Sequence, residues 1–463
     1  MTYAEIQNAP VMQDQAGEAR VKGRQYAKTN QLYRFALFLT FIPLGLDFKD
    51  RGYIDNSLTF QIIVVALFAL GFFLSISANN MPLSTMLAHK RVIRFILLWS
   101  FFTAHIVLIA IIRGGDLFLT ARVGVPYVMM IMSMLLAWRH MRSNVDPVTF
   151  FIPIIIASVI SMFWTYYIGR FSSAYFSDDD FSFIEDIRYT ILSAALPPLF
   201  GWSIYYISKN RRVVFYSIIM SFILFITLIS KTRGTLLGEL SAIPVILLIS
   251  ASRIRIALRL AVPIIIGAAV SILFPTFIRN YDVLSIWKIR FFGTDEMVVD
   301  ETYQARLAEY WGQLNMLFSD VQSAIFGYGP IASTYNDARI IDNLNSFGVN
   351  IDYYSVGGVG VHSTWINSLF HGGLLIGWVP SLTATFIVAI LLRVASLKKE
   401  TRRQFPENGK IALMMSVPFL FPMSIASIFT DRIGPTIFGI ATVWAIFEWT
   451  RFKSGVLDAR APT

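Results

Sequence analysis

TYQARLAEYWGQLNMLFSD (Thr302–Asp320), FGYGP (Phe326–Pro330) and VHSTWINSLFHGGLLIGW (Val361–Trp378) follow one another through a polar, Gly-rich interval of an otherwise apolar chain. In the first segment Leu307, Trp311, Leu314 and Phe318 recur at helical spacing. That spacing predicts a helix with one apolar face, suited to lying on a helical bundle or at a membrane surface. Arg306 sits beside that face. In the third segment His362 stands at the mouth of an apolar helix. Since the flanking sequence is mostly hydrophobic, this interval is where aqueous chemistry is expected.

Working outward, apolar stretches of about 18 or more residues recur on both sides, and each predicts a transmembrane helix. Twelve spans are expected, at roughly 31–47, 57–77, 92–112, 123–139, 149–169, 188–208, 213–230, 234–251, 257–276, 363–395, 411–430 and 434–450. The composition agrees. Of 463 residues, 55% are hydrophobic and 15% charged, with mean hydropathy +0.59, whereas soluble domains carry about a quarter charged residues. The expected fold is therefore an all-α integral membrane protein. It has about 12 transmembrane helices and one large outer loop, of about 85 residues, carrying short helices. No secretory leader is legible in the first 30 residues, so the first span is expected to act as its own insertion signal. The chain has no Cys, which excludes disulfides and thiolate metal sites.

The formal charge of +10 follows membrane orientation rather than nucleic-acid binding. With the N-terminus inside, the basic cluster Arg20, Lys22, Arg24 and Lys28 and every short inner loop are basic, and 25 of the 39 Lys and Arg fall inside. The acidic FSDDDFSFIED (Phe176–Asp186) falls outside. The expected layout is a basic cytoplasmic tail (1–30), spans one to nine (31–276), the large outer loop (277–362), spans ten to twelve (363–450) and a cytoplasmic tail (451–463).

Several polar residues could carry chemistry. Arg233, in SKTRGTLLGEL (Ser230–Leu240), lies at the outer end of span eight. It is either an interfacial anchor or, with the free N–H groups of the helix start, a phosphate cradle. An anchor on the outside runs against the positive-inside bias, and intramembrane ionisable groups are functional by default. Glu239, deeper in the same span, is either a partner in an inter-helix ion pair or hydrogen bond, or a catalytic or positioning carboxylate. His362 is either a hydrogen-bonded loop histidine or a base for a hydroxyl nucleophile. His105 is expected to pack between helices, and His371 does not share the face of His362. Among outer-side arginines (Arg122, Arg188, Arg279, Arg290, Arg306, Arg339 and Arg432), Arg306 is preferred as a second diphosphate ligand, with Arg279 and Arg290 behind it. Asp178, Asp179 and Asp180 could hold a divalent cation or simply be a solvated loop. No GxxxxGK[ST], GxGxxG or HExxH occurs, so no NTPase, dinucleotide or zinc-protease site is expected.

Three of these segments together resemble the bacterial O-antigen ligase and polymerase superfamily. SKTRGTLLGEL is similar to the family's Arg-Gly segment, here Arg233, Gly234 and Leu237. ARLAEYWGQL followed by FGYGP is similar to its loop helix with Arg and Trp and its Gly-x-Gly turn. HSTWINSLFHGGLLIG is similar to its His-Asn/Ser segment entering a Gly-rich helix, with Ser363 where many members carry Asn. The resemblance implies an inner-membrane glycosyltransferase with cytoplasmic termini and a periplasmic active site. Its donor would be an undecaprenyl-diphosphate-linked oligosaccharide. Arg233 and Arg306 would hold the leaving diphosphate, His362 would orient or deprotonate the acceptor hydroxyl, and Glu239 and Trp311 would support them. The transfer would invert the anomeric centre and need no metal, cofactor or nucleotide sugar. Membrane lipids, a flippase and a chain-length regulator are the implied partners, and nucleic acid is not. A polymerase of O-antigen or exopolysaccharide is expected, with a ligase to lipid A core or protein as alternative and a lipid-linked sugar transporter as a third reading.

Overall fold

The computed structural model describes residues 31–46, 57–78, 90–115, 117–142, 150–160, 196–229, 233–250, 260–261, 264–270, 272–273, 310–330, 363–425 and 432–458. Among the described residues there is no strand. The helices are α1 (Gln31–Leu46), α2 (Ser57–Ala78), α3 (Lys90–Ile112), α4 (Leu117–Arg142), α5 (Phe150–Ile160), α6 (Leu196–Ser208), α7 (Val213–Ile229) and α8 (Arg233–Ile249). After them come α9 (310–317), α10 (Val321–Phe326), α11 (Thr364–Ile376), α12 (Val379–Ser396), α13 (Lys399–Gln404), α14 (Glu407–Ser416), α15 (Leu420–Ile425) and α16 (Ile433–Asp458).

Five of these, α2, α3, α4, α12 and α16, are long and apolar enough to cross a membrane. Shorter apolar helices are α1, α5, α7 and α8. The chain is thus an α-helical protein built for a membrane. Burial divides the helices by role. In α16, 94% of the apolar stretch is inside the protein, against 33% in α3 and 39% in α2. α16 is the central post, packed on α4 and α14. The outer helices turn Ile62, Phe73, Leu97, Phe101, Leu108, Val214 and Ile218 outward. In water so many exposed apolar side chains would drive aggregation, whereas lipid tails solvate them.

Small residues let backbones approach where lipid provides no hydrophobic drive. Any side chain at Gly238 of α8 would meet the Pro418 carbonyl at 2.7 Å. Polar pairs collect at the bundle's two ends. At one end Tyr33 pairs with His140 at 3.0 Å, Arg139 donates to the Ile76 carbonyl at 2.8 Å, and Arg211 meets Glu407 at 3.2 Å. At the other, Arg432 donates to Gln61 at 3.0 Å and Arg113 to Ser323 at 2.9 Å. Each pair joins residues that the Lys and Arg distribution assigns to one side.

Two sequence expectations need correction. The stretch 363–395 is two helices rather than one span. α11 is interrupted at Gly373 (φ 61°, ψ −169°), and a turn at Gly377 and Trp378 separates it from α12. A continuous helix of that length would measure about 50 Å against a hydrocarbon core of about 30 Å. Only α12 has the length to cross, and α11 is a separate short helix. Likewise 411–425 is broken by the 3₁₀ turn Val417–Phe419, with Pro418 inside it, into α14 and α15.

For α9 the apolar spacing predicts either of two settings, on the bundle or at the membrane surface. Trp311 and Phe318 are exposed and Leu314 half-buried, while Gly312, Gln313, Met316 and Leu317 face inward. The described residues of the apolar stripe lie outward, which fits the membrane-surface setting of the two. Trp311, expected to support the site, points outward.

Candidate functional site

The three sequence segments converge around α15. Gly238 of α8 abuts Pro418 and lies 3.0 Å from Pro422 by its missing side chain, so α8 runs along the chain leading into and through α15. Ser424 of α15 receives two hydrogen bonds, from the Trp365 indole of α11 at 3.0 Å and, on its carbonyl, from the Tyr310 hydroxyl of α9 at 3.3 Å. Arg233 is the first residue of α8. Its backbone therefore stands where free N–H groups and the positive helix end lie.

Beside this point the FGYGP turn is locked onto α11 and α3. Its backbone accounting explains the interruption at Gly373. A helix broken there cannot return the amides four residues on to the carbonyls of Phe370 and His371. The turn supplies substitutes: Tyr328 N–H donates to Phe370 O and Gly329 N–H to His371 O, both at 2.9 Å. Gly327 (φ 79°, ψ −172°) and Gly373 occupy a backbone region open essentially to glycine alone. They face each other so closely that a side chain on Gly327 would lie 2.5 Å from the Gly373 nitrogen.

Side chains complete the lock. His105 of α3 donates from Nε2 to the Phe326 carbonyl at 2.9 Å, which fixes its tautomer. Tyr328 stacks on Phe370 with centroids 4.8 Å apart and planes at 10°, and its hydroxyl donates to Met316 O at 3.2 Å. The Arg113 guanidinium sits 4.3 Å over the Tyr328 ring while donating to Ser323 Oγ. Asp320 caps α10 through the Ser323 hydroxyl and amide, at 2.6 and 2.7 Å. Those two bonds hold its carboxyl below the usual carboxylate range. A depressed folded value means that the cap contributes above the unfolded value near 3.9 and is lost only as pH falls through the lowered one. Arg113→Met removes both the cation–π contact and the bond to Ser323. About 1–2 kcal/mol of turn docking is expected to go, measured as faster hydrogen exchange across 321–330.

Arg113 shares with Arg233 the signal of a basic residue at the outer end of a span, against the orientation bias. His371 does not share a face with His362 in the sequence pattern, and no role follows for it there. It is 3% exposed, and its carbonyl holds the turn.

Of the sequence-chosen residues, His362, Arg306, Arg279 and Arg290 lie outside the described residues, as do Asp178, Asp179, Asp180, Arg188 and Arg339. So does the Arg233 side chain. Arg122 lies exposed on α4. Arg432 is buried and bonded to Gln61 of α2.

Glu239 is fully buried. Its Oε1 accepts from the Thr227 hydroxyl of α7 at 2.6 Å, and its Oε2 has no partner among the described residues. The inter-helix hydrogen bond is the role this geometry serves. Thr227→Val leaves the carboxyl with neither oxygen bonded to α7 and is expected to cost about 1–3 kcal/mol, read from thermal unfolding. Glu239→Leu, which removes the polar group itself, is expected to cost less, and a larger loss would contradict the assignment.

No protein-family model matches the chain, and no curated protein matches it.

Proposed function

We propose that the protein is a polysaccharide polymerase of the bacterial inner membrane, joining undecaprenyl-diphosphate-linked repeat units at the periplasmic face. The observation that carries this reading is the meeting, around α15, of three segments far apart in sequence. They are α8, which opens at Arg233 and abuts Pro422 at Gly238, α9 through Tyr310, and α11, the segment that follows His362, through Trp365. An apolar bundle suits a long prenyl chain, and a helix start bearing Arg suits a diphosphate.

In this reading the acceptor sugar hydroxyl attacks the anomeric carbon of the donor. The glycosidic C–O bond forms, the bond to the diphosphate oxygen breaks, and the hydroxyl proton passes to His362. Arg233 and Arg306 take up the charge on the departing lipid diphosphate, with Arg279 and Arg290 as further candidates. Each preorganised donor of this kind contributes about 10²–10³ in rate. His362→Ala is expected to lower turnover by about 10²–10⁴ while donor binding stays within a factor of a few. Equal loss of both would assign His362 a structural role.

The broken α11 and the broken α14–α15 favour a second reading, a transporter of lipid-linked sugars, because interrupted helices line such pathways. Purified protein in proteoliposomes with a lipid-linked repeat unit alone separates the readings. A ladder of lengthening products is the expected result. Reaction only after lipid A core or a protein acceptor is added would make it a ligase, and passage of the intact lipid-linked unit would make it a transporter.

A further inference from the structure

α12, long and apolar enough to cross a membrane, ends at Ser396, and only Leu397 and Lys398 separate it from α13. At 18 residues α12 is about 27 Å long, close to the hydrocarbon thickness of about 30 Å, so its ends stand at headgroup level. Leu382, Phe386 and Arg393 recur at i, i+4 and i+11 and are all exposed, so a lipid-facing stripe ends in a cation. α13, which carries Lys399, Arg402 and Arg403, therefore lies among the headgroups. This is the end that the distribution of Lys and Arg assigns to the inside.

A run of inner cations meets the orientation rule wherever its side chains point. This run is held in place. Arg402 turns inward and donates to the carbonyls of Leu248 at 3.2 Å, Ser250 at 3.5 Å and Leu397 at 2.8 Å. It thereby fills the end of α8, where carbonyls lack amide partners and the helix dipole is negative. Phe405, the residue after α13, is 2% exposed and packs against the rings of Trp449 and Phe452 of α16. Between these two anchors Lys398, Lys399 and Arg403 stay exposed, and none has a carboxylate partner among the described residues. The neighbouring 209–212 turn is tied to α14 by Arg211, which meets Glu407 at 3.2 Å. Lys410 is buried and donates to the Arg403 carbonyl at 3.3 Å. Burial, and after it the charge of Lys209, pushes its ammonium down to about 8, although Glu407 pulls the other way. Lys209 and Lys410 thus share one carboxylate that Arg211 already holds, and an anion beside them would relieve the repulsion.

We propose that α13 is a binding platform for the headgroup of an anionic phospholipid, held by Lys398, Lys399 and Arg403 with Lys209 at its edge. Ammonium and guanidinium groups without carboxylate partners match phosphate oxygens, by charge and by hydrogen bonding. The place selects lipid over a free phosphate. A phospholipid whose headgroup reaches Arg393 and α13 lays its acyl chains along the exposed Leu382 and Phe386 of α12, contacts that a soluble anion cannot make. The inference holds whether the chain joins glycans or moves them.

The test places the full-length protein in phosphatidylcholine nanodiscs with rising fractions of phosphatidylglycerol and follows thermal unfolding. The wild-type Tm is expected to rise and then level off as the platform fills. One variant combines Lys398→Gln, Lys399→Gln and Arg403→Gln. Each such cation contributes about fivefold to headgroup binding, so this variant is expected to lose the rise. A second combines Lys90→Gln, Arg91→Gln and Arg94→Gln, which takes the same charge from exposed positions at the inner start of α3. It is expected to keep the wild-type rise. In phosphatidylcholine alone both are expected to unfold with the wild type, because the substituted side chains are exposed, and a lower Tm of the α13 variant there would make its cations structural and overturn the platform. Inorganic phosphate at tens of millimolar is expected to leave the wild-type Tm unchanged. No rise in the wild type, or a rise that survives in the α13 variant, overturns the platform. Loss of the rise in both variants overturns it too, by returning the effect to overall charge. An equal rise with inorganic phosphate overturns the choice of lipid in favour of a soluble anion.

Discussion

Arg233→Ala is expected to abolish polysaccharide assembly, lowering turnover by about 10²–10³, while the protein still inserts and folds. The size follows from what the residue would do. Charge appears on the diphosphate only as the glycosidic bond breaks, so a guanidinium at the α8 start acts mainly in the transition state. The insertion follows from its place. Arg233 is the first residue of α8, ahead of the apolar run Gly234–Ile249, so its removal takes a polar group from a helix end and shortens no apolar segment. Arg233→Lys is expected to restore only part of the rate, since an ammonium cannot offer the two-pronged contact. Wild-type product length from Arg233→Ala would end the diphosphate-cradle assignment.

Gly373→Ala is expected to have the largest structural effect of any single methyl group near the site. Its backbone at φ 61°, ψ −169° costs about 1–3 kcal/mol for a residue with a side chain. The added methyl would also press on the Ile325 carbonyl and lie 2.5 Å from the Gly327 nitrogen. The turn must then leave α11, taking the Tyr328 and Gly329 hydrogen bonds with it. Amides of 327–330 are expected to exchange at least tenfold faster, since each 1.4 kcal/mol is a factor of ten. Leu374→Ala, one residue on and exposed, is the control and is expected to change nothing. Wild-type protection in Gly373→Ala would mean that the turn is not held as described.

Much of the helical layout was legible in hydropathy. Lys90–Ile112 and Val213–Ile229 fall within two residues of the expected spans, because a run of apolar side chains in lipid leaves the backbone no option but to bond within itself. What sequence could not reveal depends on tertiary partners. Gly372, Gly373 and Gly377 announce a weak helix, but only the docked FGYGP turn, donating to Phe370 and His371, makes a break at Gly373 stable. The spacing of α9 leaves its orientation open for a related reason. Trp311, Leu314 and Phe318 do share a face, but whether an apolar face seeks protein or lipid is decided by its surroundings. Gln313, on the inward face, carried no sequence signal at all. Arg113 does carry one, a basic residue at the outer end of a span.

The most direct test of the account is the fate of the lipid diphosphate. Purified protein in proteoliposomes, supplied with an undecaprenyl-diphosphate-linked repeat unit and excess EDTA, is expected to release one undecaprenyl diphosphate for each glycosidic bond it forms. Movement of the intact unit across the bilayer with no free undecaprenyl diphosphate, or transfer that stops when divalent cations are removed, would contradict it.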